Sequence, residues 1–260
     1  MFGASGVEKT YESYLRGKDG AEFRLVDIYG IDHGIYKDNL GQVPVRGRDL
    51  FLTIDSKIQS YVEKIFNDKK GVVICMDPKS GEIIAYYSAP DYDLNSFSGP
   101  VPINLWNKWQ SDPEKPLLNR GIQGLYPPGS TLKLISAAFA MDKNIISKDW
   151  LVNCNGVYRF GDRDFHCWNE LGHGSVNLDK AIYQSCNVYF YHLMQKITFR
   201  DWYQFVKQFG YGEITGVDLY GEKKGIIPNR DYMNEKYGKY GWAAGSLLTF
   251  IIGQGDILVT

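Results

Sequence analysis

The period of polar and apolar positions changes several times along the chain. Residues 1–49 are rich in Gly and charge, with a short amphipathic helix predicted at 7–15 and extended runs at 22–29 and 41–45. From Leu50 the texture shifts. Residues 50–54 read as a strand, and Asp55 is placed to cap a helix whose Ile58, Tyr61, Val62 and Ile65 keep helical spacing. A boundary near residue 49 follows. Residues 71–76 and 82–87 are β-rich runs around Asp77-Pro78-Lys79-Ser80-Gly81, which predicts a hairpin. Residues 88–126 carry Pro90, Pro100, Pro102, Pro113 and Pro116 with no clear period, and long loops of this kind often border sites. After Pro127-Pro128-Gly129, residues 130–142 are apolar nearly all round, which predicts a helix inside the protein. Further helices are predicted at 178–184, 188–197 and 200–209, the last with Trp202, Phe205, Val206 and Phe209 on one face and Gly210 ending it.

Composition narrows the class. With 260 residues, 44% hydrophobic and 15% aromatic, the chain can bury a substantial core, which excludes disorder and collagen-like repeats. Its 29 basic and 30 acidic side chains give no electrostatic reason for a polyanionic partner, so nucleic acid is not expected. At roughly 150 residues per domain the length suggests between one and two domains. The longest apolar stretches, 132–141 and 241–253, are too short to span a bilayer, and the first residues hold no apolar signal region. As written, the chain reads as soluble. Residues 253–260 read as a turn entering an element that stops, so the C-terminus is expected to be incomplete. The 19 Tyr and 6 Trp read mostly as packing rather than as glycan contacts.

Two groups of residues carry chemistry. Ser130 and Lys133 lie about one helical turn apart, so hydroxyl and amine share a face and could exchange a proton. A lysine on an apolar helix is either paired or pushed toward its neutral form, and a neutral amine serves as the base that a serine nucleophile needs. The bland alternative is a Ser N-cap followed by a Lys that snorkels outward. Cys154, Cys167, His173 and Cys186 are separated by 13, 6 and 13 positions. Three thiols and an imidazole can complete a tetrahedral zinc site, with buried free thiols or a disulfide as the alternatives. Asp162, Asp164 and His166 are competing ligands that read as solvated loop residues.

The octapeptide Tyr126-Pro127-Pro128-Gly129-Ser130-Thr131-Leu132-Lys133 resembles the nucleophile motif of class B penicillin-binding proteins, Y-P-P-G-S-T-x-K. Ser185-Cys186-Asn187 with Val188-Tyr189-Phe190-Tyr191 is similar to the family's S-x-N element. Gly3-Ala4-Ser5-Gly6-Val7-Glu8, the segment from Met76 to Ile83, and Gly253-Gln254-Gly255 extend the likeness over nearly the whole chain, toward the elongation-type members.

The resemblance implies an α/β (α+β) penicillin-binding transpeptidase fold, an antiparallel sheet flanked by helices. Residues 1–49 would be a partial pedestal, and 50–260 a transpeptidase domain incomplete at its C-terminus. It implies Ser130 as the acylated nucleophile, Lys133 as base, Ser185 as proton relay to the leaving group, and Asn187 as the group that binds the substrate amide and helps hold Lys133. The implied activity is a serine D,D-transpeptidase that cross-links peptidoglycan stem peptides and covalently binds β-lactams. It would act at the periplasmic, extracytoplasmic face of the inner membrane, with a glycosyltransferase and cell-elongation scaffold proteins as possible partners; the membrane anchor is absent from this chain. No organic cofactor is implied. Some elongation-type members carry a structural zinc whose ligands fall at Cys154, Cys167, His173 and Cys186, which would pin the loop bearing Ser185 and Asn187.

One departure stands out. The family's third motif, K-T-G or K-S-G, follows the G-Q-G stretch, and this chain ends first. Lys79-Ser80-Gly81 precedes the nucleophile and sits in a predicted turn, so it reads as structural. The 260-residue chain is therefore expected to be inactive or crippled as it stands. The rival readings are a class D-like β-lactamase and a non-catalytic penicillin-recognising sensor or zinc-stabilised scaffold.

Overall fold

The computed structural model describes residues 3–37 and 40–260. They form two compact units, the described residues up to 121 with 217–222, and residues 122–216 with 223–260. The change of texture at residue 49 lies inside the first unit.

In the first unit the helix predicted at 7–15 is broken at Tyr11 into α1 (Gly6–Thr10) and α2 (Glu12–Leu15). The run at 22–29 turns back on itself, because the Asp27 carboxylate accepts the N–H groups of Tyr29 and Ile31, both at 2.9 Å. β1 (Arg24–Val26) thereby pairs antiparallel with β2 (Asp32–Ile35). The run at 41–45 contributes only the bridges Lys18↔Val45 and Ala21↔Gln42.

The strand predicted at 50–54 does not form. Thr53 Oγ1 donates to the Ile83 carbonyl at 2.6 Å and the Asp55 N–H to that of Ile84 at 2.9 Å, so side chain and cap take the bonds a ladder would use. Asp55 does cap α3 (Ser56–Phe66), accepting from Lys57 N and Ile58 N. Of the predicted face, Val62 is buried while Ile58, Tyr61 and Ile65 are exposed. The hairpin forms as predicted from β3 (Gly71–Met76) and β4 (Ile83–Ala89), with Lys79-Ser80-Gly81 in its turn. Val62, Ala85, Tyr87 and Ala89 make this unit's core. Residues 88–126 hold more than loop: α4 (Ile103–Ser111) starts after Pro102 at its N-cap, a proline placement that punctuates a helix without forbidding it. The single turn α5 (Arg120–Gln123) follows.

In the second unit a 3₁₀ turn at Gly129–Thr131 runs into α6 (Leu132–Asp142). One side of α6 packs Leu132 and Phe139 with Trp202, Val206 and Ile257. Another packs Ala137 and Ala140 with Tyr189, Phe190 and Leu248. Burial is not complete all round, in contrast to the prediction: Leu134 and Met141 are exposed, as is Ala138 between them. Uniform apolarity cannot say which face meets solvent, and here two packed faces leave a third open.

β5 (Val152–Cys154) pairs with β8 (Gly174–Val176), and β6 (Val157–Phe160) with β7 (Arg163–His166), all antiparallel. α7 (Leu178–Tyr183) and α8 (Asn187–Met194) follow, the latter ending three residues before the predicted stop. α9 (Phe199–Gln208) is capped by Thr198, buries Trp202 and Val206, and ends where Gly210 adopts φ 81°. α10 (Arg230–Tyr237) and α11 (Ala244–Phe250) complete the unit, and Leu258 and Val259 bridge to Ile226 and Tyr126. The class is α+β, with antiparallel strands among helices. Among the described residues the strands form four two-stranded ladders, and no helix is long and apolar enough to cross a membrane.

Candidate active site

The 3₁₀ turn places Ser130 on the surface, while Lys133, three residues on, falls in the first turn of α6 and is 2% exposed. The connection from α7 to α8 brings Ser185 and Asn187 to the same point. Lys133 Nζ donates to Asn187 Oδ1 at 2.6 Å, to the Ser185 carbonyl at 2.8 Å and to Ser185 Oγ at 3.0 Å. Ser185 Oγ in turn donates to Ser130 Oγ at 2.7 Å. All four predicted catalytic residues therefore meet. The difference from the sequence reading is the order of contact: among the described residues Lys133 and Ser130 share no hydrogen bond, and Ser185 stands between them.

Burial is the main influence on the Lys133 amine and lowers its pKa from 10.5 to about 8, while the Cys167 and Cys186 sulfurs pull the other way. The ammonium is nonetheless fully used as a donor, with three acceptors for its three protons. Ser185 has φ 51°, a left-handed conformation that a residue with a Cβ holds only when its surroundings impose it. The backbone bonds Gln184 N to Lys180 O, Ser185 N to Ile182 O and Cys186 N to Ala181 O do so.

The turn carrying Ser130 is backed by Gly253. Gly129 N donates to the Gly253 carbonyl at 2.9 Å, and a Cβ at Gly253 would lie 2.1 Å from the Gly129 oxygen. Only glycine fits there, which gives the Gly-Gln-Gly stretch a role in supporting the nucleophile turn. Further contacts to the site come from residues that have no role in it in the sequence reading. Asn187 Nδ2 and the Tyr191 hydroxyl both donate to the His166 carbonyl at 3.3 Å, and Phe190 presents its ring 5.6 Å from Lys133 Nζ. Phe190 and Tyr191 stand in the aromatic run that follows the S-x-N element, and such a run is equally a core signature.

Beside this cluster the ligand atoms of Cys154, Cys167, His173 and Cys186 all lie within 4.8 Å of one another. Cys154 ends β5, Cys167 follows β7, His173 precedes β8 and Cys186 caps α8. His173 Nδ1 is 3.5 Å from Cys154 Sγ and 3.6 Å from Cys167 Sγ. A tetrahedron with Zn–S bonds of about 2.3 Å has edges of roughly 3.7 Å, close to the two His173 distances, and three thiols with an imidazole are a donor set whose chemistry fits zinc. The hydrogen bond from Cys186 pulls the Cys167 thiol well below its ordinary value, and the same bond, together with burial, pushes Cys186 up. Asp162, Asp164 and His166 stay out of the cluster, with Asp164 paired to Arg159 at 3.0 Å.

Residues 71–259 match the model of the penicillin binding protein transpeptidase domain. A peptidoglycan D,D-transpeptidase MrdA of Acinetobacter baumannii is 34% identical over 264 residues, covering 100% of this chain and 38% of that relative. That of Escherichia coli K12 is 30% identical, covering 97% and 40%. The penicillin-binding protein PBP2 of Helicobacter pylori, solved in complex with MreC, superposes at a TM-score of 0.87 with 33% identity, covering 100% of this chain and 48% of its own. PBP2 of Pseudomonas aeruginosa in complex with WCK 5153 gives 0.84 and 30%, covering 100% and 54%. The chain spans about 40% of the length of the curated relatives it matches.

Proposed function

The chain belongs to the penicillin-binding protein transpeptidase family, and from that premise we propose that it carries the nucleophile half of a serine D,D-transpeptidase that cross-links peptidoglycan. The observation that supports this best is the relay Lys133 Nζ, Ser185 Oγ, Ser130 Oγ, with contacts of 3.0 and 2.7 Å.

Hydroxyl protons reorient freely, so the relay has two settings. With Lys133 charged, protons point outward from Nζ to Ser185 and on to Ser130. With Lys133 neutral, two N–H groups remain on the Ser185 carbonyl and Asn187, and the lone pair faces Ser185 Oγ. Ser130 can then pass its proton to Ser185 Oγ as that hydroxyl passes its own to Nζ. Ser130 Oγ attacks the carbonyl of the penultimate residue of a D-alanyl-D-alanine terminus, and a tetrahedral intermediate forms. Its collapse breaks the C–N bond, the proton returns through Ser185 to the departing amine, and D-alanine leaves behind an ester on Ser130. An amine of a second stem peptide attacks that ester, its proton passing through Ser185 toward Lys133; the C–O bond to Ser130 then breaks, the proton returns to Ser130 Oγ, and the new amide is the cross-link. A β-lactam would open on Ser130 by the same attack and stay bound, because its leaving group is tethered to the acyl chain.

Cys154, Cys167, His173 and Cys186 would hold a structural zinc ion. When bound, the ion supplies a four-way cross-link between β5, the β7–β8 connection and the start of α8, with no open coordination position. The extracytoplasmic face of the membrane is the compartment that fits this reading. A glycosyltransferase and an elongation scaffold fit as partners, since one solved relative is in complex with MreC and another belongs to a peptidoglycan synthase complex.

The fate of bound penicillin tests the reading against its rivals. A transpeptidase retains the acyl group and, given a stem-peptide donor, releases D-alanine. Continuous penicillin turnover would indicate a β-lactamase, and retention without D-alanine release a sensor.

A further inference from the structure

Trp168 is 65% exposed, an unusual setting for so large an apolar side chain, yet both ends of its indole are engaged. Its Nε1–H donates to the Gln184 carbonyl at 2.9 Å. Its ring meets the His173 imidazole at 5.3 Å and 60°, edge to face. The chain places it directly after Cys167, and Gln184 directly precedes Ser185. The peptide unit whose oxygen it holds is the one that leads into Ser185 at φ 51°.

We propose that Trp168 is a positioning residue: by tying the oxygen of the Gln184–Ser185 peptide unit to the Cys/His cluster, it adds to the backbone bonds that hold Ser185 in the left-handed conformation connecting Lys133 to Ser130. This rests on the function given above for Ser185. A rotation of that peptide unit would move the Ser185 carbonyl and hydroxyl together, and both are acceptors of the Lys133 amine. The three backbone bonds around residues 184–186 restrain such a rotation from the N–H side, since the Ser185 N–H that donates to Ile182 O belongs to the same planar unit, and the indole adds a bond on its oxygen side. Residues able to supply a hydrogen bond and a ring edge at once are few, and tryptophan presents both on a rigid frame.

The test compares wild type with Trp168→Phe, which keeps a ring beside His173 and loses the N–H, and with Trp168→Leu, which loses both. Amide hydrogen exchange over residues 184–187 is expected to accelerate about tenfold in Trp168→Phe, the effect of one hydrogen bond, with α9 unchanged, and further in Trp168→Leu. In penicillin acylation the chemical rate constant is expected to fall by about the same factor with the binding constant unmoved. Unchanged exchange at 184–187 would overturn the proposal. So would acceleration spread evenly into α9, which would make Trp168 a general packing residue. A wild-type chain that exchanges as expected but never acylates, even when extended by a segment bearing the K-[ST]-G motif, would refute the assigned function and leave the positioning result standing.

Discussion

Ser185 Oγ sits 2.7 Å from Ser130 Oγ and is itself 3.0 Å from Lys133 Nζ, so the amine reaches the candidate nucleophile through a second hydroxyl rather than directly. The S-x-x-K spacing alone suggests a direct pair. In the proposed mechanism, this geometry makes Ser185 the element on which proton transfer depends.

Removal of that hydroxyl is therefore expected to be nearly as damaging as removal of the base. Ser185→Ala should slow penicillin acylation on the order of 10²–10⁴-fold, the range of general acid–base contributions, while the fold is retained. Stopped-flow acylation on a variant with wild-type circular dichroism checks this. A loss under threefold would show that Lys133 reaches Ser130 without the relay.

The lowered pKa of Lys133 sets the pH dependence. Only the neutral amine accepts a proton, so the acylation rate should climb with pH through about 8 and level above it. Stability follows the same group. Because the folded value lies below the ordinary 10.5, the unfolded chain binds more protons between about 8 and 10.5. The destabilisation is full below pH 8 and disappears as the pH rises toward 10.5. Denaturant midpoints of wild type minus Lys133→Met, measured across this window, should rise with pH; a flat difference would mean that the amine is not perturbed.

Gly253→Ala tests the support of the nucleophile turn. The new Cβ would lie 2.1 Å from the Gly129 carbonyl oxygen, at a backbone with φ 71°, so something must move. A loss of about 2–4 kcal/mol in stability is expected, together with slower acylation, because the displaced turn carries Ser130. Gly99→Ala, which meets nothing within 4 Å, serves as the control.

Zinc is expected to copurify at about one per chain, and chelation to lower the melting temperature by roughly 5–15 °C, as a site filled at 100–1,000 times its Kd would give. Cys154→Ser should abolish the response to chelator while Cys75→Ser leaves it intact, since Cys75 lies outside the cluster. A metal-free preparation that melts unchanged would remove zinc from the account.

Much of the site was legible because its residues are constrained by chemistry. Ser130 and Lys133 stand at a helical spacing, Ser185 and Asn187 are marked only by the resemblance to the family's S-x-N element, and the structure brings the four together. The four predicted metal ligands converge in the same way. What the sequence hid is tertiary. Nothing in Leu134 or Ala138 distinguishes them from Ala137 and Ala140, yet one pair is exposed and the other buried. The three- and four-residue strands β5 to β8 are too short to show a period, and α4 was masked by its flanking prolines. The order of contact in the relay depends on the φ of Ser185, which no spacing encodes.

The most direct measurement is intact mass of the folded chain before and after hours of incubation with a penicillin, followed by peptide mapping, with Ser130→Ala treated alongside. The account predicts a single stable adduct on the peptide that contains Ser130, absent from the variant. A folded wild-type chain that stays unmodified both alone and when extended by a segment bearing the family's K-[ST]-G motif, or an adduct that persists in Ser130→Ala, would contradict it.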